Sequence, residues 1–157
     1  MKRIPLIATI LLALFLQGCA TLPPPETMKA EVQNFQLPKL PEQGKAIVYV
    51  VRPSEIGGLV RFNVFLNDQQ AESEMGFTRG SQYIYFQVPP GEHKIQSKAE
   101  NWSEWIVNAN AGDILFIQQE ATMGMLMARN TLFKINDIEG KYHVKTLKLG
   151  TIHKVDK

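Results

Sequence analysis

The 157-residue chain contains a single cysteine, Cys19. No disulfide can form within it even in an oxidising compartment, so core packing must hold the fold. No apolar run is long enough to cross a bilayer. The longest, Ile4 to Leu16, would cover roughly 20 Å as an α-helix at ~1.5 Å per residue, against about 30 Å of hydrocarbon. No sign of charge dominates either. Removing Lys2 and Arg3 with residues 1–18 leaves 15 basic residues against 15 acidic ones. That balance gives no argument for a nucleic-acid-binding domain, which wants a basic face, and no nucleic-acid partner is expected. Catalytic patterns are missing as well. There is no Gly-x-Ser-x-Gly and no Gly-Lys-Ser/Thr after a strand, and Gly76, Gly80, Gly91 and Gly112 read as turn glycines. His93, His143 and His153 are far apart and far from paired carboxylates, which reads as isolated surface histidines and not as zinc ligands. No catalytic residue, metal or cofactor is assigned, and the chain is read as a non-enzyme.

Residues 1–18 have the order of a secretory signal peptide. Met1-Lys2-Arg3 is a positive start, Ile4–Leu16 an apolar core, and Gly18 a small residue at the end. The ending Leu16-Gln17-Gly18-Cys19 resembles the lipobox of bacterial lipoproteins. That resemblance implies lipidation at Cys19, with diacylglycerol on the thiol and three acyl chains, palmitate among them, on the mature protein. Each buried methylene is worth ~0.8 kcal/mol, so two or more chains anchor stably where one does not. Ala20 follows the cysteine, where aspartate commonly retains such proteins in the inner membrane. The expected location is therefore the outer membrane, lipid-anchored and facing the periplasm.

Residues 19–43 read as a tether. Pro23-Pro24-Pro25, Pro38 and Pro41 favour extended polyproline geometry, and Ala20 to Gln43 would reach about 70 Å at ~3.1 Å per residue. Val32, Phe35, Leu37 and Leu40 give this segment apolar points with which to dock, so a partly docked tether is expected over a free one, and a helical turn fits Thr27 to Asn34. The domain proper is expected over residues 44–138. Ala46 to Val51 is a β-branched and aromatic run that suits a strand buried on both faces. Arg52-Pro53 ends it and Gly57-Gly58 turns the chain. Phe62, Val64 and Leu66 alternate with polar neighbours apart from outward Phe65. A weaker strand fits Ala71 to Thr78. Ile84, Phe86 and Val88 oppose Tyr83, Tyr85 and Gln87 on the next strand. Further strands fit Glu92 to Ala99, Trp105 to Asn108 and Ile114 to Ala121, with an edge strand at Thr131 to Ile135. Strands at this spacing predict an all-β fold, an antiparallel β-sandwich of about seven to eight strands. Asp137 reads as the cap of a short C-terminal helix through Tyr142 and Leu147, weakened by Gly140. Residues 139–157 stay open between helix, strand and tail.

Gly44-Lys45-Ala46-Ile47-Val48-Tyr49-Val50, Val64-Phe65-Leu66-Asn67-Asp68, Val88-Pro89-Pro90-Gly91-Glu92-His93 and Ala111-Gly112-Asp113 occur in one order. Together they resemble a domain-of-unknown-function family of small bacterial lipoproteins. The middle portion is similar to the PEGA type of surface β-domain. The resemblance covers residues 44–138 and rests on turns and strand cores, so it implies a lipid-anchored sandwich and carries no chemistry.

Two clusters stand out beyond the fold. Met123, Met125 and Met127, if extended, would align three soft thioethers suited to Cu(I). The plainer reading is flexible filler beside Gly124. Trp102 and Trp105 differ in parity, so one should point in and the other out, where an indole could stack on a glycan or grip a protein. The plainer reading packs both at the end of the sandwich. The chain is thus expected to be an interaction or scaffold module. Its partners are the membrane, through the lipid on Cys19, and an envelope protein. Small-ligand, glycan or Cu(I) binding near the Trp or Met clusters is the alternative.

Overall fold

A computed structural model describes residues 22–153, in which ten strands form two five-stranded sheets packed face to face. The element order is α1 (Pro25–Val32), β1 (Ala46–Arg52), β2 (Phe62–Leu66), a 3-10 turn (Ala71–Ser73), β3 (Glu74–Thr78), β4 (Gln82–Val88), β5 (Gly91–Lys98), β6 (Trp102–Ala109), β7 (Ile114–Met123), β8 (Ala128–Ile135), α2 (Asp137–Thr146), β9 (Lys148–Leu149) and β10 (Thr151–Ile152). The first sheet runs β8-β7-β1-β4-β9 and the second β10-β3-β2-β5-β6.

β1 shows why an unbroken apolar run was needed. It is the central strand of the first sheet, and all seven of its residues are buried. Val48 and Val50 face the second sheet and meet Ile84, Phe86, Val64 and Ile95 between the layers. Ile47, Tyr49 and Val51 point the other way, towards Phe116, Tyr83 and Val144 beneath the helices. Alternation along β4 follows the same division, with Ile84, Phe86 and Val88 inside and Tyr83 and Tyr85 under the helical layer. One polar side chain crosses the core. Gln119 is fully buried, accepts a hydrogen bond from Thr78 Oγ1 at 2.5 Å and donates one to Ser97 Oγ at 2.8 Å. It ties both sheets together with every polar atom partnered, which is the condition for burying an amide.

Several expectations need correction. The sandwich is not wholly antiparallel: β1 pairs in parallel with β7, and β4 with β9. A parallel pair needs a long connection, and here β2 to β6 supply it between β1 and β7, four of them strands of the second sheet. The strand count is ten because β9 and β10 have two residues each, too short to leave a period in the sequence. The helix cap is Asn136, whose side chain accepts from the Glu139 N–H at 3.0 Å; Asp137 is the first helical residue.

Residues 22–43 do not stand away from the domain. Met28 and Val32 of α1 are buried, and Phe35 and Leu37 pack on the outer face of the first sheet. The Tyr49 hydroxyl donates to Lys39 O at 2.6 Å and accepts from Lys39 N–H at 3.1 Å. Gln87 Nε2 donates to Leu40 O at 3.0 Å, and Lys145 Nζ donates to Glu31 O at 2.9 Å. The prolines are compatible with this docked path because Pro25 opens α1, where a missing N–H costs nothing.

Candidate functional site

The strand directions bring four connections to one end of the sandwich. They are the β1–β2 loop (53–61), the β3–β4 turn (79–81), the β5–β6 turn (99–101) and the β7–β8 hairpin tip (124–127). Two of these are shaped by a charged side chain acting on backbone.

Arg52, the last residue of β1, is fully buried. Its Nη1 donates to Val60 O at 2.7 Å, and its Nη2 donates to Ile56 O and Gly57 O, each at 2.9 Å. The guanidinium lies 3.6 Å over the Phe62 ring. Burial lowers its pKa to about 10, partly opposed by Glu55, so it stays charged at neutral pH. Five donors in a planar fork suit a ring of converging carbonyls. Gly57, at φ 59, lets that loop lie against Ala128 of β8, where a Cβ would collide.

Glu100 does the reverse for the hairpin tip. Its carboxylate accepts from the N–H groups of Met125 at 3.1 Å, Leu126 at 2.7 Å and Met127 at 2.8 Å, with Arg129 Nη1 at 3.6 Å. Those donors, Met127 first, hold its carboxyl at about 2, helped by Arg129. A carboxyl depressed in the folded state gives its full contribution above its unfolded range near 4.5 and loses it as pH falls towards 2. The amides of Met125 to Met127 are therefore expected to lose order by NMR across that window, and Glu100→Gln should loosen them at neutral pH. A tip equally ordered in both cases would remove the carboxylate from this account.

The tip so held is apolar and open. Met123 is 82% exposed, Met125 91% and Leu126 88%, and Leu59 in the β1–β2 loop is 91% exposed. Bends at 125–127 break the extended geometry that would have aligned the three thioethers. The indoles also depart from expectation, since Trp102 and Trp105 are 38% and 39% exposed. Trp102 rests on Phe65 at 5.3 Å with Lys98 Nζ 5.4 Å from its ring. Trp105 has the parity of buried Val107 but lies on an edge strand, where no further strand covers it.

A cleft of about 800 Å³ adjoins this end, between the chain entering at Leu22, the β1–β2 loop, β7 and α2. Among its lining residues, Gln118 and His143 are buried, and Gln118 Oε1 and His143 Nε2 have no hydrogen-bond partner. Two of the three histidines are thus interior, contrary to the surface reading: His93 Nε2 lies 2.8 Å from Pro89 O, while His153 stays outside, 3.6 Å from Glu74. Burial pulls His143 to about 4 although Glu139 stands 3.9 Å away. The unfolded imidazole takes its proton near 6.5, so stability is complete above that pH and falls towards pH 4. At ~1.4 kcal/mol per pKa unit the loss is on the order of 3 kcal/mol. Urea midpoints at pH 7.5 and 4.5 should differ accordingly, and His143→Phe should flatten the difference.

Among the described residues no group of three or more His, Cys, Asp or Glu could hold a metal, and no helix is long and apolar enough to cross a membrane. Cys19, the expected lipidation site, and the signal segment lie outside the described residues. Arg52 and Glu100 carried no one-dimensional signal beyond an arginine closing an apolar run and an acid in a turn.

A family model described as "Protein of unknown function (DUF2846)" matches residues 42–132, from just before β1 into β8. A protein of Haemophilus influenzae (strain ATCC 51907 / DSM 11121 / KW20 / Rd), described as uncharacterized, is 27% identical over 145 residues, covering 90% of this chain and 81% of its own.

Proposed function

The chain belongs to the DUF2846 family, and from that premise we propose that it is a lipid-anchored module of the bacterial envelope that works by contact and not by catalysis. Cys19 is the anchor, the outer membrane the location, and a protein of the periplasm the partner. The single observation behind this reading is the Leu16-Gln17-Gly18-Cys19 ending after an apolar core. The bacterial source of the relative accords with it. Intact-mass analysis of the mature protein tests it: the N-terminal residue should be Cys19 bearing acyl chains, and Cys19→Ala should stay uncleaved or leave the membrane fraction. An unmodified thiol there removes the reading. Crosslinking in intact cells should return a reproducible protein partner.

The 800 Å³ cleft favours a second reading, a small ligand held beside Gln118 and His143, whose unpartnered polar atoms could meet it. Glycan or Cu(I) binding at the Trp and Met clusters belongs to the same class. Shielding of the His143 ring protons by an added ligand, lost in Gln118→Leu, would support the cleft version.

A further inference from the structure

We infer that the loop end of the sandwich, with the Met123–Met127 hairpin at its apex, is the face that rests in the bilayer beside the lipid anchor. The inference deepens the anchored reading and rests on lipidation of Cys19.

Three observations point the same way. The first is where the described chain begins. Leu22 and Pro23 line one cleft with Pro53, Ser54, Glu55 and Ile56, and so lie at the loop end. From there the chain runs back along the outer face of the first sheet through α1, and β1 starts at the far end. Only Ala20 and Thr21 separate Leu22 from Cys19, and three residues reach at most about 11 Å at ~3.6 Å each. Docking takes up the segment from Leu22 onward, so an acylated Cys19 brings this end of the domain to the membrane surface.

The second is the chemistry presented there. Met123, Met125, Leu126 and Leu59 are more than four-fifths exposed, and Met127 and Ile56 are exposed with them. Exposed apolar residues gathered at one end mark an interaction surface. The cations Arg61, Lys98 and Lys148 are exposed around the same end and suit lipid phosphates, with Arg129 beside them paired to Glu100. Among the acids, Glu100 is engaged by backbone N–H groups and Glu55 by Ser81. An apolar apex ringed by cations is the pattern of a segment that seats at the headgroup–acyl boundary.

The third is preorganisation. Glu100 holds the three tip N–H groups, and Arg52 holds three carbonyls of the neighbouring loop. Backbone groups entering a bilayer must carry their partners with them, and these do.

The test uses the full-length protein, processed from its own leader and reconstituted into vesicles of phosphatidylethanolamine and phosphatidylglycerol. With the Cys19 sulfur acylated, Met125→Cys, Leu59→Cys and Ala111→Cys each offer one free thiol for a polarity-sensitive fluorophore. Ala111 is exposed in the β6–β7 turn at the opposite end. Probes at 125 and 59 should emit to the blue and be quenched severalfold more by a lipid-borne quencher than by an aqueous one, with the order reversed at 111. If the mass shows acylated Cys19 while all three probes stay aqueous, the membrane face is wrong and the anchor stands. A probe at 125 that is shielded yet unquenched by lipid, and crosslinks to protein, overturns the inference in favour of a protein partner. An unacylated Cys19 overturns both readings.

Discussion

Arg52→Ala should lower the stability of the domain by about 3–5 kcal/mol, the range for removing one side of a buried charged network. The guanidinium donates to the carbonyls of Val60, Ile56 and Gly57 and covers the Phe62 ring. Alanine would leave those oxygens, in a half-buried loop, without their donor, each costing about 1–3 kcal/mol where no water replaces it. A domain of this size shifts by about 3–5 °C per kcal/mol, so melting should fall on the order of 10–20 °C. Arg52→Lys should recover only part of this, because a single ammonium nitrogen cannot stand where two guanidinium nitrogens serve the three carbonyls. Arg61→Ala, at an exposed position whose guanidinium lies 4.5 Å from the Phe77 ring, should cost no more than about 1 kcal/mol. If Arg52→Ala and Arg61→Ala melted together, the buried fork would not be what shapes the β1–β2 loop.

Gly140→Ala should be destabilising by about 2–3 kcal/mol, the cost of overpacking a tight contact. The sign is what makes it informative. In an exposed helix the same change stabilises by about 1 kcal/mol, since alanine is the better helix former. Here α2 presses its backbone onto Phe116: a Cβ at Gly140 would stand 2.6 Å from Cδ2 and closer still to Cγ and Cδ1. The ring cannot retreat, because it is 1% exposed and stacked on Tyr49 at 5.5 Å between centroids. Phe116→Leu in the Gly140→Ala background should restore part of the loss, with a coupling of about 1 kcal/mol or more in a double-mutant cycle. A raised denaturation midpoint for Gly140→Ala alone would mean that α2 does not lie on that ring.

Both predictions involve residues whose meaning could not be read locally. Gly140 looked like a flaw in a short helix, and it is the point of closest approach between helix and sheet. Arg52 looked like the polar end of a strand, and it is among the most buried side chains described. Glu100 sits 25 to 27 residues from the amides it holds, a pairing that no periodic pattern encodes.

The sequence by itself determined the class of fold. The run Ala46–Val51, the alternation in β2 and β4 and the turns at Asn67-Asp68, Pro89-Pro90-Gly91 and Gly112-Asp113 dictate short strands with one face buried, because side-chain direction has a period of two. It also determined, through Leu16–Cys19, where an anchor is expected. Only the tertiary structure decided which partner covers each face of β1, and where on the domain residues 22–43 dock. It alone sets both tryptophans half in solvent and gathers Leu59 with the methionine tip at the end where the described chain begins. The reason is physical: hydrophobic burial has no direction of its own, so a local pattern says that a face must be covered and leaves open what covers it.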